Sequence, residues 1–184
     1  FLAELFDRVI TVDPHLHRIT KLSEAIGSGE AIALSGAPRL AELIANECPQ
    51  PLLIGPDAES EQWVALAAAQ IGCDFAVCTK VRSGDKQVKI MLPDVSVSVS
   101  GKNVVLMDDV ASSGHTLAEA AKLLLSAGAA SVDVAVTHAL FAGDAQALIK
   151  QAGVNRVWST DCIAHPSNAI SMAPVLAKAL KPLL

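Results

Sequence analysis

Short hydrophobic runs alternate with longer stretches of helical periodicity along nearly the whole chain. That alternation limits the fold more than any other feature. Strand-like runs fall at residues 9–12, 31–34, 52–54, 75–78, 104–107, 132–137 and 157–159. Helical patterns fall at about 37–48, 60–71, 116–127, 145–152 and 173–180. Gly72, Gly128 and Gly153 each stand just past a helical stretch, where helices stop. Near-continuous apolar strands separated by helices build a parallel sheet buried on both faces. The expected fold is therefore α/β, a mostly parallel sheet with helices on both faces. One stretch breaks the rhythm. Residues 88–92 and 95–99 are two short runs separated by Pro93-Asp94, and they predict a β-hairpin flap. The polar segment before them, residues 80–85, predicts a mobile loop.

The chemistry concentrates in residues 104–117, VVLMDDVASSGHTL. A buried strand delivers two acids, Asp108 and Asp109, to its carboxyl end. A turn of small residues follows, Ser112-Ser113-Gly114, and His115 and Thr116 open a helix. A helix amino end has unpaired N–H donors and partial positive charge, so it suits a phosphate. Two acids beside such a turn suit a sugar phosphate, with hydroxyls on the carboxylates and phosphate on the turn. An ordinary strand–turn–helix corner with a Ser cap fits the same residues.

Three further groups stand out. Lys80 and Arg82 lie two apart in an extended segment, and a cation pair there can stabilise charge on a transferring phosphoryl group. A solvated basic loop has the same composition. A strand at 9–12 runs into Asp13-Pro14-His15, where His15 is placed to meet a cation or a nucleotide phosphate, or simply to cap a turn. A strand at 52–54 meets Gly55-Pro56-Asp57, and Asp57 suits either a Mg²⁺ ion or a helix amino end.

Composition removes several classes. Apolar residues make up 52% of the 184, enough for a sizeable core. The net charge of −5, with 3% aromatics and no Tyr, argues against a nucleic-acid partner. No apolar run reaches membrane-spanning length without a charge, Pro or Gly, and the first 20 residues contain Glu4, Asp7, Arg8 and Asp13, unlike a signal peptide. Cys48, Cys73, Cys78 and Cys162 form no CxxC pair and predict buried, reduced thiols in a cytoplasmic protein. The chain opens on Phe1, without Met, and FLAELF reads as the last turns of an amphipathic helix, so a longer parent sequence is expected.

The 104–117 stretch resembles the ribose-5-phosphate loop of type I phosphoribosyltransferases, a hydrophobic strand running into D-D, two residues, then [DS]-[TS]-G-x-T. Asp108 and Asp109 match the acids. Ser112, Ser113, Gly114 and Thr116 match the cradle, and His115 stands where Gly is more usual. The other groups resemble ribose-phosphate pyrophosphokinases of the divergent, archaeal-like branch: K-x-R at Lys80 and Arg82, the His segment at Asp13 and His15, and P-D-x-G at Asp57, with Glu59 in place of the Gly. Residues 159–166 resemble the family's T-N-T-I-P segment, and Thr137-His138-Ala139 its T-H-G, with His138 and His165 expected to pack or to hold turns.

The resemblance implies diphosphate transfer from ATP to ribose 5-phosphate, giving 5-phosphoribosyl 1-diphosphate and AMP. Lys80 and Arg82 would be catalytic. Arg82, Asp108, Asp109, Ser112, Ser113, Gly114, His115 and Thr116 would bind ribose 5-phosphate. His15 and Asp57 would hold Mg²⁺, with ATP as co-substrate. It also implies a homo-oligomer, a dimer or hexamer, for the intact protein. Residues 1–26 would be the remnant of a preceding domain, 27–160 the catalytic domain, and 161–184 a tail packing toward that first domain. These 184 residues alone would then bind a sugar phosphate but make little product. A salvage phosphoribosyltransferase and a non-catalytic regulatory subunit are the alternatives.

Overall fold

The computed structural model describes residues 2–16, 19, 21–27, 30–83, 87–91 and 98–183. Six strands form one all-parallel sheet: β3 (Pro51–Gly55), β4 (Phe75–Val77), β7 (Asn103–Ala111), β8 (Ser131–Ala139), β9 (Val157–Thr160) and β10 (Asn168–Ile170), in the order β10-β9-β8-β7-β3-β4. Strand β3 pairs with β7 from Pro51↔Asn103 to Ile54↔Leu106, and β7 pairs with β8 from Asn103↔Ser131 to Ala111↔Ala139. The chain runs outward from β3 to β4, then returns to the other side of β3 as β7. That reversal opens a crevice at the carboxyl ends of β3 and β7, the place where open α/β sheets take ligands.

Side chains alternate across the strands, as period-2 geometry requires. Leu52, Ile54, Val104, Leu106, Val132, Val134 and Val136 are buried on one face beneath α5 (His115–Ser126) and α6 (Ala145–Gln151). Leu53, Val105, Met107, Ala135 and Trp158 are buried on the other, beneath α3 (Ala37–Glu47) and α4 (Glu61–Ile71). The expected two-faced α/β sheet is what forms. Helix α3 starts on Pro38 in its first turn, where a missing N–H costs nothing. Gly72, Gly128 and Gly153 all take positive φ behind α4, α5 and α6.

Near the amino end, α1 (Leu2–Leu5) precedes β1 (Arg8–Val12), which pairs in parallel with β2 (Glu30–Leu34), with α2 (Leu22–Ile26) between them. Strand β2 lies beyond residue 26, so this pair spans the expected boundary there. The Arg8 guanidinium donates to the Leu183 carbonyl at 2.8 Å, joining the first segment to the end of the tail that carries α7 (Ala173–Leu180).

The flap differs from expectation. An antiparallel ribbon pairs β5 (Thr79–Ser83) with β6 (Gln87–Met91), so Lys80 and Arg82 lie on a strand opposite Ile90 and Val88. The expected mobile loop supplies the ribbon's first strand, because Thr79-Lys80-Val81-Arg82 has the alternating, β-branched composition that a paired strand accepts. The expected partner run and its turn, residues 92–97, lie outside the described residues, as do Gly84, Asp85, His17 and Arg18.

One buried acid locks the β1 end onto the main sheet. Asp13 is 4% exposed and has φ 37. Its carboxylate accepts from Gly36 N at 2.8 Å, Trp63 Nε1 at 2.9 Å and Thr137 Oγ1 at 2.7 Å. Those donors belong to the start of α3, to α4 and to β8. A Cβ at Gly36 would sit 2.8 Å from Thr137 Oγ1, so only glycine leaves room for this contact. His138 adds a bond from its Nε2 to the Val12 carbonyl at 3.0 Å, the packing role expected of it. Asp13→Ala strands three buried donors and is expected to lower stability by about 3 kcal/mol in urea unfolding, against about 1 kcal/mol for Trp63→Phe.

Candidate functional site

Parallel strands put every carboxyl end on one edge of the sheet, and the site is built along it. Among the last four residues of β7 are Asp108, partly buried, and Asp109, 3% exposed. Asp108 Oδ1 accepts from the Asp109 N–H at 3.0 Å. Strand β3 ends at Gly55, and the chain turns through Pro56 to Asp57, which is buried. The Asp57 carboxylate accepts from Glu59 N at 3.0 Å and so caps the 3-10 turn Ala58–Ser60 ahead of α4. Asp57 thus takes the capping role its position allowed, and its charge also reaches Asp108.

Beyond Ala111, Ser112 and Ser113 are exposed, and Gly114 caps α5 in the left-handed conformation at φ 76. No side chain caps this helix, whose first N–H groups are left to an outside acceptor. His115 is exposed in the first turn, and Thr116 is partly exposed. The loop is held from behind: Phe141 N donates to Ala111 O at 2.8 Å and Ala142 N to Ser112 O at 3.0 Å. A Cβ on Gly114 would lie 3.1 Å from both Ala145 O and Ile149 Cδ1 on α6. The glycine is thus needed for its conformation and for its closeness to α6.

His15 approaches from the β1 turn. Its Nδ1 lies 2.7 Å from Asp109 Oδ2, and its Nε2 lies 3.6 Å from Glu59 Oε2. A cleft of about 880 Å³ opens beside it, between the β1–β2 pair and α4, lined by His15, Leu22, Ala33, Glu59, Trp63 and Leu66.

The fold therefore brings together His15, Asp57, Asp108 and Asp109, with the Ser112–Thr116 turn following directly on β7. Lys80 and Arg82 lie on the ribbon that leaves β4. Glu59, beside His15, and Asp13, behind it, stood out in sequence only through the family resemblance, and the partners they take here were not expected. The signal for Asp13 was slight, one acid before Pro-His, since its three donors come from positions 36, 63 and 137.

Burial pushes the Asp108 carboxyl up to about 8, and the charges of Asp109 and Asp57 push it the same way. Asp109 and Asp57 are thus close enough to oppose the ionisation of Asp108. Among the described residues, no set of three His, Cys, Asp or Glu side chains is arranged to hold a metal ion by itself. Two separate carboxylates at the strand ends, Asp57 and Asp108, are oxygen donors of the kind a hard cation uses when waters and substrate phosphate complete its shell. The Cys78 thiol, fully buried at the end of β4, is raised to about 11 by burial and by Asp57, and all four cysteines are free. Among the described residues, no helix is long and apolar enough to cross a membrane.

Known proteins are similar to this chain in sequence and fold. The model of the phosphoribosyl transferase domain family matches residues 23–174. The ribose-phosphate pyrophosphokinase 1 of Archaeoglobus fulgidus is 35% identical over 174 residues, 94% of this chain and 58% of that protein. The ribose-phosphate pyrophosphokinase of Methanothermobacter thermautotrophicus is 31% identical over 175 residues, 95% of this chain and 59% of that protein. The chain thus spans less than two thirds of the length of these relatives. Among solved structures, a phosphoribosylpyrophosphate synthetase from Mycobacterium smegmatis superposes with TM-score 0.76 at 24% identity, over 96% of this chain and 58% of that one. An APRTase from Giardia lamblia superposes with TM-score 0.57 at 20% identity, over 67% and 77%. Both likenesses speak to the fold.

Two outcomes follow from the site. Gly114→Ala forces a side chain into a left-handed position against α6 and is expected to cost about 2 kcal/mol in thermal or urea unfolding. Asp108 has a folded pKa above its unfolded value, so its ionisation opposes folding as pH rises from about 4 to about 8. Asp108→Asn removes that cost. Its stability relative to the unsubstituted chain should climb across this window and level off above pH 8. A flat difference from pH 4 to 9 would contradict the raised pKa.

Proposed function

Because the chain belongs to the phosphoribosyl transferase domain family, we propose that it provides the ribose-5-phosphate site of a ribose-phosphate pyrophosphokinase. The reaction moves diphosphate from ATP to ribose 5-phosphate, giving 5-phosphoribosyl 1-diphosphate and AMP. The observation that carries this proposal is one continuous stretch, β7 into α5. It sets an acid, Asp108, one strand end and one short turn ahead of a glycine-opened helix amino end. Acceptors for sugar hydroxyls and donors for a 5-phosphate thus sit a few residues apart.

In this mechanism the 1-hydroxyl of the sugar attacks the β-phosphorus of ATP. An O–P bond forms to the sugar, the bond bridging the α- and β-phosphates breaks, and AMP leaves. Asp108 holds the ribose hydroxyls and so aims the nucleophile. Ser112, Ser113, Gly114, His115 and Thr116 hold the 5-phosphate through backbone N–H groups and hydroxyls. Lys80 and Arg82 offset charge on the transferring diphosphoryl group, and Arg82 also contacts the sugar phosphate. His15 and Asp57 hold Mg²⁺, which when bound neutralises phosphate charge and orients the nucleotide. Most of the gain comes from positioning and electrostatics, as is usual for phosphoryl transfer.

The naming of both archaeal relatives supports the reaction. The Lys80/Arg82 pair and the Asp13-Pro14-His15 turn favour it over a salvage transferase, which shares the 104–117 loop. Calorimetry with ribose 5-phosphate, followed by coupled AMP release with ATP in the intact protein, tests the proposal. Binding is expected in the chain, and Lys80→Ala and Arg82→Ala should each lower AMP release about 100-fold or more. Near-normal turnover in both variants would remove the ribbon from the chemistry. Release of pyrophosphate that depends on an added nucleobase would favour the salvage transferase.

A further inference from the structure

We infer that Phe141 is a positioning residue for the 5-phosphate turn. It holds the two peptides that follow Ala111 and Ser112 so that their N–H groups face away from the β8–α6 connection, toward the sugar phosphate. This rests on the proposed ribose-5-phosphate site and adds to it a residue that does not touch the substrate.

Phe141 is a backbone outlier. Its φ is 39, a left-handed value that residues other than glycine rarely take. Such positions gather where a fold holds a functional geometry against local preference. It lies two residues past β8, on the way to α6. In an extended strand successive N–H groups point to opposite edges, so one neighbour receives only every other donor. Here two successive N–H groups reach the same neighbour. Phe141 N donates to Ala111 O at 2.8 Å, and Ala142 N donates to Ser112 O at 3.0 Å. The positive φ at Phe141 turns both donors to one side, as successive amides converge in a nest.

The consequence falls on the turn after β7. A trans peptide is planar, and its C=O and N–H point opposite ways. Drawing the Ala111 and Ser112 carbonyls toward the β8–α6 connection therefore aims the amides of Ser112 and Ser113 the other way. Carbonyls released from Phe141 and Ala142 could swing outward, and an anion would then meet oxygen instead of N–H. Ser112 and Ser113 are exposed, and Gly114 beside them opens α5.

The strained residue is held by its ring. Phe141 is 8% exposed and belongs to the core on the α5 and α6 face. Its ring lies against that of His165, with centroids 4.8 Å apart and planes at 38°. His165 is pinned in turn: its backbone N–H donates to Asn168 Oδ1 at 2.9 Å, and its Nδ1 accepts from Ser167 N at 3.1 Å. The segment ahead of β10 thus braces the turn after β7 through one aromatic side chain.

The test uses the 184-residue chain. It compares Phe141→Gly, which accepts the positive φ but loses the ring, with Val132→Ala, which opens a cavity in the same core at the far, amino end of β8. Residual dipolar couplings of the sugar-free chain read the N–H directions of Ser112 and Ser113. They should change in Phe141→Gly and match the unsubstituted chain in Val132→Ala. Calorimetry with ribose 5-phosphate should show about 10-fold weaker binding in Phe141→Gly, the loss of roughly one hydrogen bond to a charged group, and little change in Val132→Ala. Phe141→Val, apolar but β-branched and so strained at positive φ, serves if the glycine variant does not fold, with the same result expected. Unchanged couplings at Ser112 and Ser113, or an equal loss of affinity in Val132→Ala, overturns the inference. The couplings need no sugar. A chain that fails to bind ribose 5-phosphate therefore speaks against the proposed function, and the couplings alone then judge the role of Phe141.

Discussion

The site depends on one buried carboxylate. Asp13 gathers a backbone N–H from the start of α3, an indole N–H from α4 and a hydroxyl from β8. Each bond to a charged acceptor is worth about 1.5–3 kcal/mol net, and burying an acid without such partners would cost more than any one of them returns. The three donors explain how an acid survives at 4% exposure. They also fix a position: β1 belongs to a separate two-stranded sheet, and this cluster is what sets its end against the carboxyl edge of the main one. His15 inherits its place from that junction. The positive φ of Asp13 is a local cost the cluster offsets.

The second constraint is topological. In a parallel sheet every strand end faces the same way, but only neighbours across a reversal of strand order open a crevice rather than close over it. Here β3 and β7 are those neighbours. Asp57 leaves one and Asp108 the other, near enough that the charge of Asp57 helps raise Asp108. Neither acid is special in its own strand. Their proximity comes from the order β7-β3-β4, which brings two separate carboxyl ends to one opening.

Much of this was legible in the sequence, and what was not shares a physical cause. Strands 52–54, 104–107 and 132–137 announced themselves through apolar runs flanked by turn residues, and the β7–α5 corner through its acids and small residues. These signals are local, carried by residues a few positions apart. The Asp13 cluster, the Asp109–His15 contact and the Glu59–His15 approach join positions 23 to 124 residues apart, with no local pattern to mark them. Strand β10 was missed because Asn168–Ile170 is three residues long. It is held mainly by Asn168, whose side chain donates to Ser159 Oγ, Thr160 O and Ile163 O. The ribbon was placed one strand late, since Val81 and Arg82 read as loop when surrounded by polar neighbours. Asp108 and Asp109 are neighbours in sequence, and the fold separates them by burial and partner.

An acid-rich crevice is an odd place to bring a polyphosphate, and the arrangement explains how the proposed chemistry tolerates it. Two like charges about 4 Å apart oppose each other by about 4 kcal/mol at an effective dielectric of 20. Asp57 and Asp109 at the sheet edge, with Glu59 beside His15, would therefore repel a bare nucleotide. The same acids attract one that arrives with its cation, so the crevice discriminates by charge before any contact is made. On the proposed function, the sugar phosphate would meet the opposite polarity, its anionic end at the amino end of α5 and its hydroxyls, which are neutral donors, at the acids. One edge of one sheet thus presents two electrostatic surfaces: carboxylates for hydroxyls and cation, helix amides for the free phosphate. Exchanging the substrates between the two would place phosphate on carboxylate. On the proposed function, order in the site is imposed by sign of charge, and the strand phase of Asp108 is what puts its carboxylate on the same side of the sheet as the helix.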